Sequence, residues 1–341
     1  MVNILGIETS CDDTAVSVVK DGSSILSNVI AAQSEMHKRY GGIIPEIASR
    51  EHLMSIMPAV SSSLDEADIK VAEVDAIAVT HGPGLAGSLL VGLNTAKGLS
   101  LAWDKPLIGI NHLEGHIYSA WLEDIDPEKQ LGFPIVCLIA SGGHTDLVIM
   151  LDHMSYKVLG RTRDDAAGEA FDKVARVLGL GFPGGPEIQA EAEKAEGTIE
   201  PFPRPRIKNS VDFSFSGLKT AVVRRAEQEG FYPPGFHKRP NKMQVREFAG
   251  AFQSAVVDCL VRNVNQAVNE WGAKGIILGG GVAANSELRK RMSFESSVGV
   301  IVPRPGLCTD NGAMIAAAGF RHFKDDIQTE WGLDVIPNLS L

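Results

Sequence analysis

The chain has 341 residues, a formal net charge of −10, 44% hydrophobic residues and 22% charged residues. This balance is typical of a globular protein with a buried core, and the length predicts about two domains. The excess of acidic residues excludes strong nucleic-acid binding through bulk charge, so an RNA partner would need a local basic surface or a helper protein.

The sequence also predicts the cellular location of the chain. No run of about 18 consecutive apolar residues is present, so we expect no membrane span. The first residues, MVNILGIETS, have neither a basic segment nor a cleavage site, so we expect no signal peptide. The cysteines form no CxxC pair and lie far apart, which favours a reducing, cytoplasmic location over a disulfide framework; they are Cys11, Cys137, Cys259 and Cys308.

The first elements along the chain form an α/β pattern. Residues 4–19 read ILGIETSCDDTAVSVV, two apolar runs separated by a small polar turn, which predicts a β-hairpin. Apolar periodicity then predicts a helix near 45–64, a strand at 74–80, a helix near 86–102 and a strand at 107–110.

A second stretch repeats this plan. Residues 135–150 read IVCLIASGGHTDLVIM and predict another hairpin, followed by a strand at 157–161, a helix at 166–178 and a later strand at 275–278. The prolines of 201–210 and 230–242 predict loops or an inserted subdomain, and the spacing of apolar residues in 243–271 predicts one long helix.

Two similar α/β halves that each open with a hairpin are typical of the class that contains actin, hexokinase and the heat-shock chaperone ATPases. We therefore predict an actin-like ATPase (ASKHA) fold, with two duplicated RNase H-like lobes around a central nucleotide cleft. The predicted lobes are residues 1–130 and 131–341, and the second carries an inserted helical or loop region at about 186–245.

Three loops at predicted strand ends are candidates for phosphate binding. They are Glu8–Asp13 (ETSCDD), Ser141–Thr145 (SGGHT) and Leu278–Asn285 (LGGGVAAN). Backbone N–H groups in such turns converge on anions, and small side chains let a phosphate approach. A single glycine-rich loop is more often an ordinary turn, and the third loop has neither the Lys-Ser/Thr pair of a P-loop nor the GxGxxG spacing.

The segment NHLEGH at 111–116 places His112 and His116 four residues apart. On a helix both imidazoles lie on one face and can bind one ion, although two structural histidines would give the same pattern. A zinc protease requires H-E-x-x-H, whereas Glu114 lies about 200° from His112 around the helix. The candidate third ligands are His144 and Asp310, and Asp310 could instead serve only as the N-cap of a helix.

Long ordered motifs of this chain resemble the TsaD family, formerly called Gcp or O-sialoglycoprotein endopeptidase. The motifs are ETSCDDT (8–14), HKRYGGIIPEIASREH (37–52), THGPGLAGSLLVGLNTAKGLS (80–100), NHLEGH (111–116), SGGHTDL (141–147), DDAAGEAFDKVARVLGL (164–180), FPGGP (182–186), FSFSGLKTA (213–221), GGGVAAN (279–285) and CTDNGAMIA (308–316). They are distributed over nearly the whole chain.

The resemblance implies transfer of a threonylcarbamoyl group from threonylcarbamoyl-AMP to N6 of the adenosine 3′ of the anticodon, in tRNAs reading codons that begin with A. It implies a nucleotide-binding cleft and one iron or zinc ion held by His112, His116 and Asp310. It also implies a paralogous partner TsaB, an ATPase TsaE and an enzyme TsaC that supplies the intermediate. The implied substrate-binding residues are Ile139, Ala140, Ser141, Gly142, Gly143, Asp172, Gly185 and Asn285.

Two positions depart from the family pattern. Gln189 stands where many members carry an Asp, and Asp13 stands where a Glu is usual. The adenine amine is a poor nucleophile, so a base that removes its proton would assist the transfer. Asp12 and Asp13 are the candidates for this role, although Asp12 could equally be a hairpin turn residue.

Local basic groups could contact RNA, although such runs are usually solvated faces. They are Arg161 with Arg163, Arg204–Arg206–Lys208, Lys238–Arg239–Lys242 and Arg289–Lys290–Arg291. The alternatives to a tRNA-modifying transferase are a stand-alone actin-like ATPase or kinase, a metalloprotease and a non-catalytic scaffold.

Overall fold

The computed structural model describes residues 1–197, 199–232, 240–327, 329 and 331–341. The chain forms two compact units. The first contains Met1–Gln130 and Gly306–Leu341, and the second contains Leu131–Pro305. Both are built from a five-stranded sheet and helices.

The first unit begins with a three-stranded antiparallel meander and continues with alternating helices and strands. Its elements up to residue 130 are β1 (Asn3–Glu8), β2 (Asp13–Lys20), β3 (Ser24–Ala32), α1 (Ser34–Lys38), α2 (Pro45–Ala67), β4 (Ala76–Gly82), α3 (Ala86–Trp103), β5 (Leu107–Asn111), α4 (His112–Tyr118) and α5 (Pro127–Gln130). The strand order is β3-β2-β1-β4-β5. The hairpin predicted at 4–19 is confirmed by the antiparallel pairing of β1 with β2.

One face of this sheet forms a core with α2 and α3. Leu5, Ile7 and Ile77 of the strands pack with Ile56 of α2 and Leu93 of α3, and all five side chains are buried. Because side chains alternate along a strand, Gly6 lies on the opposite face of β1. A second helix can therefore cover that face.

The second unit repeats the plan. Its elements are β6 (Ile135–Ala140), β7 (Thr145–Asp152), β8 (Ser155–Arg161), α6 (Ala167–Val177), α7 (Gly184–Ala192), α8 (Ser216–Gln228), α9 (Lys242–Trp271), β9 (Gly275–Gly279), α10 (Ser286–Glu295) and β10 (Gly299–Ile301). The sheet order is β10-β9-β6-β7-β8. The central strand pairs antiparallel with β7 and parallel with β9, as β1 does with β2 and β4. The predicted duplication is confirmed.

The C-terminal segment differs from the predicted division at residue 131. After the short helix α11 (Pro305–Cys308), helix α12 (Gly312–Lys324) packs on the strands of the first unit. A Cβ on Gly6 would lie 2.6 Å from the backbone N of Ala316, and one on Gly312 would lie 2.6 Å from the N of Ser17. The two glycines therefore allow α12 to approach β1 and β2, so residues 306–341 belong with the first unit.

The remaining predicted elements agree with the structure in part. The long helix predicted at 243–271 is present as α9. The predicted inserted region at 186–245 contains most of α7 and all of α8, and residues 233–239 within it lie outside the described residues. The edge strands β3 and β10 were not predicted, because their apolar signal is weak. In the described part of the chain, no helix combines the length and apolarity that a membrane span requires.

Candidate metal centre and ligand loops

Three potential metal ligands lie together in the first unit. His112 and His116 occupy the first and second turns of α4, and Asp310 precedes α12. One ligand atom from each lies within 4.8 Å of the other two. The Oδ1 atom of Asp310 is 3.6 Å from Nε2 of His112 and 3.2 Å from Nε2 of His116. Asp310, rather than His144 of the second unit, is the third member of this cluster.

The carboxylate of Glu8 orients His112 by a hydrogen bond to its Nδ1 atom. The Nδ1 atom of His112 lies 3.0 Å from Oε2 of Glu8, and both side chains are buried. The backbone N of Ser10 and the hydroxyl of Thr80 also donate to this carboxylate, each over 2.5 Å. When the proton is on Nδ1, the lone pair of the ring is on Nε2 and can bind an ion, which is the usual carboxylate–histidine–metal arrangement. The sequence places Glu8 only in a candidate phosphate loop, because it cannot show that the Glu8 carboxylate meets His112.

The burial of His116 and its missing hydrogen bonds also bear on whether a metal ion fits this cluster. Its side chain is completely buried, and within the described part of the chain neither ring nitrogen makes a hydrogen bond, although Nε2 lies 3.2 Å from the carboxylate of Asp310. A buried polar atom without a partner is costly unless another group satisfies it. Two neutral imidazoles and one carboxylate form a donor set that suits Zn²⁺ or Fe²⁺. The residues present therefore fit a metal ion.

The charges around the cluster favour a cation. Burial opposes a charged imidazole, but the carboxylates of Glu8 and Asp310 raise the pKa of His112 to about 9. Burial likewise opposes ionisation of Glu8, yet the charge and hydrogen bond of His112 outweigh it and lower the pKa of Glu8. In the metal-free chain, a proton on His112 therefore compensates the carboxylates, and a bound metal would replace it.

Asp310 is not the N-cap of α12, so the capping role that the sequence also allowed for it is wrong. Asn311 caps this helix, and its Oδ1 accepts from the backbone N of Met314 over 2.9 Å. The Asn311 amide also donates to the carbonyl of Thr309 over 2.7 Å. Because the neighbouring asparagine satisfies the helix end, the carboxylate of Asp310 is available to His112 and His116.

Glu114 points away from the histidine pair, as the helical geometry predicted. It is buried, and its Oε2 lies 3.0 Å from Nε2 of His322 on the last turn of α12. It is therefore not placed to activate a water at the cluster, as the glutamate of an H-E-x-x-H protease would. Gly115 packs directly on α12, because a Cβ there would lie 2.7 Å from Cδ1 of Ile315.

The Glu114–His322 pair joins α4, which carries His112 and His116, to α12, which directly follows Asp310 and Asn311. We expect Glu114→Ala to weaken Zn²⁺ binding by about tenfold, within the usual effect of outer-shell changes. Glu114→Gln should retain most of the affinity, because its amide oxygen still accepts from His322. Titration of the metal-free chain measures both. Asp325→Asn is the control, because it breaks the 3.2 Å Arg321–Asp325 pair within α12 alone; an equal loss in that variant would contradict the expectation.

The first loop is fixed by buried hydrogen bonds. His52 of α2 bonds through Nδ1 to the hydroxyl of Thr14 over 2.7 Å and through Nε2 to the carbonyl of Cys11 over 3.0 Å. Since a carbonyl only accepts, Nε2 carries the proton and Nδ1 accepts from Thr14. The backbone N of Leu85 donates to the carbonyl of Ser10 over 2.8 Å. Asp12 and Asp13 are therefore presented by a rigid turn.

The acidic environment of this turn makes Asp13 a suitable proton acceptor. Burial, followed by repulsion from Asp12 and Asp310, raises the pKa of Asp13 to about 7. Burial also raises the pKa of Asp12. A base works best when its pKa lies near the working pH, so the proposed role suits Asp13.

In the second unit, the two glycine loops lie against one another. Gly280 has a φ of 82°, and a Cβ there would lie 2.7 Å from the carbonyl carbon of Ala140, in the strand that ends next to Ser141. The backbone N of Gly168 in α6 donates to the carbonyl of Ser141 over 3.0 Å. Gly142 and Gly143 are exposed, and a Cβ on either would meet open space. The turn that follows Ile139 and Ala140 therefore leaves room for an approaching phosphate.

The other predicted substrate residues of this unit are connected to the same loops. Asp172 of α6 accepts from the backbone N of Gly184 over 2.6 Å, next to Gly185, whose Cβ position is open. Asn285 caps α10 by accepting from the N of Leu288 over 3.0 Å, and its amide donates to Gln253 over 2.7 Å.

Gln189 has a structural partner that sequence did not reveal. Its Oε1 accepts from the backbone N of Ser286 over 3.0 Å, and its Nε2 donates to Glu193 over 3.0 Å. It therefore ties α7 to the start of α10. Similarly, Asp164 accepts from the hydroxyls of Ser214 and Ser216, so the motif at 164–180 holds the motif at 213–221.

Most of the predicted basic groups are already paired with acidic groups or bound to the backbone. Arg161 pairs with Asp146, Arg163 with Asp212, and both Arg204 and Arg291 with Asp258, while Arg289 donates to the carbonyl of Ala283. Lys238 and Arg239 lie outside the described residues. Six described members of these groups are exposed, and two of them, Arg161 and Arg163, are in the ion pairs just named; the other four are Arg206, Lys208, Lys242 and Lys290.

Comparison with known proteins identifies the family. The TsaD family model, described as tRNA N6-adenosine threonylcarbamoyltransferase, matches residues 24–317. The chain belongs to the TsaD family. A family member from Thermomicrobium roseum is 50% identical over 361 residues, covering 99% of this chain and 96% of the relative. Members from Dehalococcoides mccartyi and Staphylococcus aureus are 51% and 46% identical and cover 100% and 99% of this chain. All three carry the same description as the TsaD model.

Solved structures confirm the actin-like ASKHA fold. HypF from T. kodakarensis matches with a TM-score of 0.62 and 12% identity, covering 95% of this chain and 48% of HypF. Component A of the 2-hydroxyglutaryl-CoA dehydratase from Acidaminococcus fermentans matches with a TM-score of 0.55 and 14% identity, covering 94% of this chain and 98% of that chain. At these identities the likeness concerns the fold alone.

Proposed function

We propose that this TsaD-family chain transfers a threonylcarbamoyl group from threonylcarbamoyl-AMP to N6 of the adenosine 3′ of the anticodon, in tRNAs reading codons that begin with A. Its relatives are named for this transferase activity. The observation that carries the proposal is the cluster of His112, His116 and Asp310, with Glu8 behind His112. A stand-alone ATPase of the same fold has no use for that cluster.

The donor is a mixed carbamic–phosphoric anhydride. In the transfer, a bond forms between N6 and the carbamoyl carbon, the bond from that carbon to the phosphate oxygen breaks, and AMP leaves. The amine must lose a proton, and Asp13 is the proposed acceptor because its pKa of about 7 matches this task. Asp12 stands beside it as the second candidate.

We propose that His112, His116 and Asp310 hold one iron or zinc ion, with Nε2 of each imidazole and a carboxylate oxygen as ligand atoms. When bound, such an ion supplies Lewis-acid polarisation and holds substrate oxygens in place. The chain's own contribution is the buried Glu8, which keeps the Nδ1 proton of His112 and thereby directs Nε2 towards Asp310.

We propose that the loops of the second unit bind the adenylate part of the donor, or a related nucleotide such as ATP or ADP. Their proposed contacts are Ile139, Ala140, Ser141, Gly142, Gly143, Asp172, Gly185 and Asn285. The open positions at Gly142, Gly143 and Gly185 support this assignment. Asn285 already caps α10 and bonds to Gln253, which leaves the second hydrogen of its amide for a ligand.

We propose that the chain works with a TsaB-like paralogue and a TsaE-like ATPase, while a TsaC-like enzyme makes the intermediate. Exposed apolar side chains on neighbouring helices support a protein partner. They are Leu53, Met54 and Met57 on α2, and Leu90 and Leu101 on α3.

Reconstitution tests the proposed function. The chain, threonylcarbamoyl-AMP, the partner proteins and unmodified tRNA are incubated together, and the tRNA is digested for mass spectrometry. We expect the threonylcarbamoyl nucleoside to appear only when the chain is present. Release of ADP from ATP by the chain alone, with no modified nucleoside under any condition, would instead identify a stand-alone ATPase.

A further inference from the structure

The segment between β3 and α2 contains two adjacent cations and an aromatic residue on the surface. Lys38, Arg39 and Tyr40 are all exposed, and 59% of the Tyr40 surface is accessible. Among the described residues, Lys38 pairs with Glu35 at 3.7 Å, and both side chains are exposed. Such surface pairs contribute little, so Lys38 remains available to a ligand.

A buried histidine holds these three residues in place. His37 is completely buried, and its Nε2 lies 3.2 Å from Oε1 of Gln33. The backbone N of Ile44 donates to its Nδ1 over 3.4 Å, and the N of Gly42 donates to its carbonyl over 3.3 Å. His37 therefore fixes the backbone before and after Lys38–Tyr40, and the three side chains between these contacts lie on the surface.

Gln33, which contacts His37, also connects this segment to Asp13, the proposed base. Asp13 pairs with Ala32 in the β2–β3 ladder, and the backbone N of Gln33 donates to the Asp13 carboxylate. The segment therefore leaves the sheet directly beside Asp13, in the unit that carries the metal cluster. An RNA that brings an adenosine to Asp13 has to pass near this segment.

We propose that Lys38, Arg39 and Tyr40 bind the single-stranded anticodon loop of the RNA substrate, with the two cations on backbone phosphates and the tyrosine ring stacked on an unpaired base. Cations that follow the backbone and aromatic rings that stack on bases are the general means of holding single-stranded nucleic acid. A local cationic segment also explains how a chain with a net charge of −10 can contact RNA. The assignment rests on the proposed function, since it names the surface that receives its acceptor.

Binding of an anticodon stem–loop RNA to the full chain tests the electrostatic part. We expect Lys38→Ala/Arg39→Ala to weaken binding at low salt and to reduce the slope of log K against log salt concentration by roughly one to two, since each phosphate contact on a single strand contributes about 0.7. Lys70→Ala/Lys274→Ala is the matched control, because it removes two positive charges from exposed lysines elsewhere. Equal effects in the two double variants would overturn the proposal.

Tyr40 tests the stacking part. Tyr40→Ala should weaken binding of the stem–loop by about five- to one-hundred-fold, and Tyr40→Phe should restore it, because the ring alone stacks. A fully paired RNA should not discriminate between the variants. Thermal unfolding of each variant shows whether the fold is retained. Unchanged loop binding by a folded Tyr40→Ala chain would contradict stacking.

The test separates this proposal from the proposed function. Suppose that the reconstituted chain modifies tRNA, and that the Lys38→Ala/Arg39→Ala and Tyr40→Ala variants bind RNA and react as the chain without substitutions does. The surface is then assigned wrongly, and the proposed function stands. If the variants lose a protein partner but keep RNA, the segment is a protein interface and the proposal fails. If the unmodified chain binds no RNA even at low salt, with or without its partners, both fail.

Discussion

His116→Ala is expected to abolish metal binding and to reduce threonylcarbamoyl transfer by at least about a hundredfold, since a metal ion at such a site contributes several kcal/mol. The imidazole is buried and is one of the three clustered groups found among the described residues, so its removal leaves two candidate ligands. Metal content after dialysis against trace iron or zinc measures the binding, and the mass of the modified nucleoside measures the transfer.

A second variant, Asp310→Asn, distinguishes loss of the metal site from loss of the fold. Asp310→Asn keeps the size of the side chain and removes its charge, and Asn311 rather than Asp310 caps α12. We therefore expect a folded chain with strongly reduced metal affinity. His153→Ala, at the β7–β8 turn, is the control and should keep its metal. Full metal content in Asp310→Asn would show that the cluster is not the metal centre.

Asp13→Asn is expected to lower the transfer rate by about a hundred- to ten-thousand-fold, the usual contribution of a general base. Metal affinity should change little, because Asp13 is not one of the clustered ligands. Single-turnover measurements at saturating donor separate this chemical effect from weaker binding. Asp12→Asn is the comparison, and a larger loss in that variant would assign the base to Asp12.

The same residue makes the stability of the metal-free chain depend on pH. The pKa of Asp13 is about 7 in the folded chain and has its ordinary value, near 3.8, in the unfolded chain. Between these values the folded state binds more protons, so this carboxyl lowers the stability as pH rises towards 7. Asp13→Asn should flatten that decline, as urea unfolding at pH 4, 6 and 8 would show. An unchanged decline would mean that Asp13 is not the group responsible.

Local sequence was sufficient for much of the fold and part of the site. Alternating apolar residues around ETSCDD and SGGH predicted both hairpins, and spacing alone placed His112 and His116 on one helical face. These features depend on neighbours within a few residues, where backbone geometry fixes which side chains meet. The resemblance to the TsaD family added the identity of the ligands and the reaction, which spacing could not supply.

Other features depend on contacts between distant residues. Glu8 meets His112 across 104 residues, and Glu114 meets His322 across 208. The assignment of residues 306–341 to the first unit also escaped prediction. It depends on the close approach of Gly6 to Gly312, and the spacing of apolar residues along the chain does not indicate which distant segments approach each other.

By itself, the sequence determined the two hairpins, the long helix α9, the glycine turns and the histidine pair, because each is set by the geometry and apolar spacing of a short stretch. Only the tertiary structure decided that α12 returns to the first sheet, that Asn311 caps this helix, and that Asp310 faces both imidazoles. The physical reason is that burial against the sheet fixes the path of α12, and the path of α12 places Asp310 beside the two imidazoles.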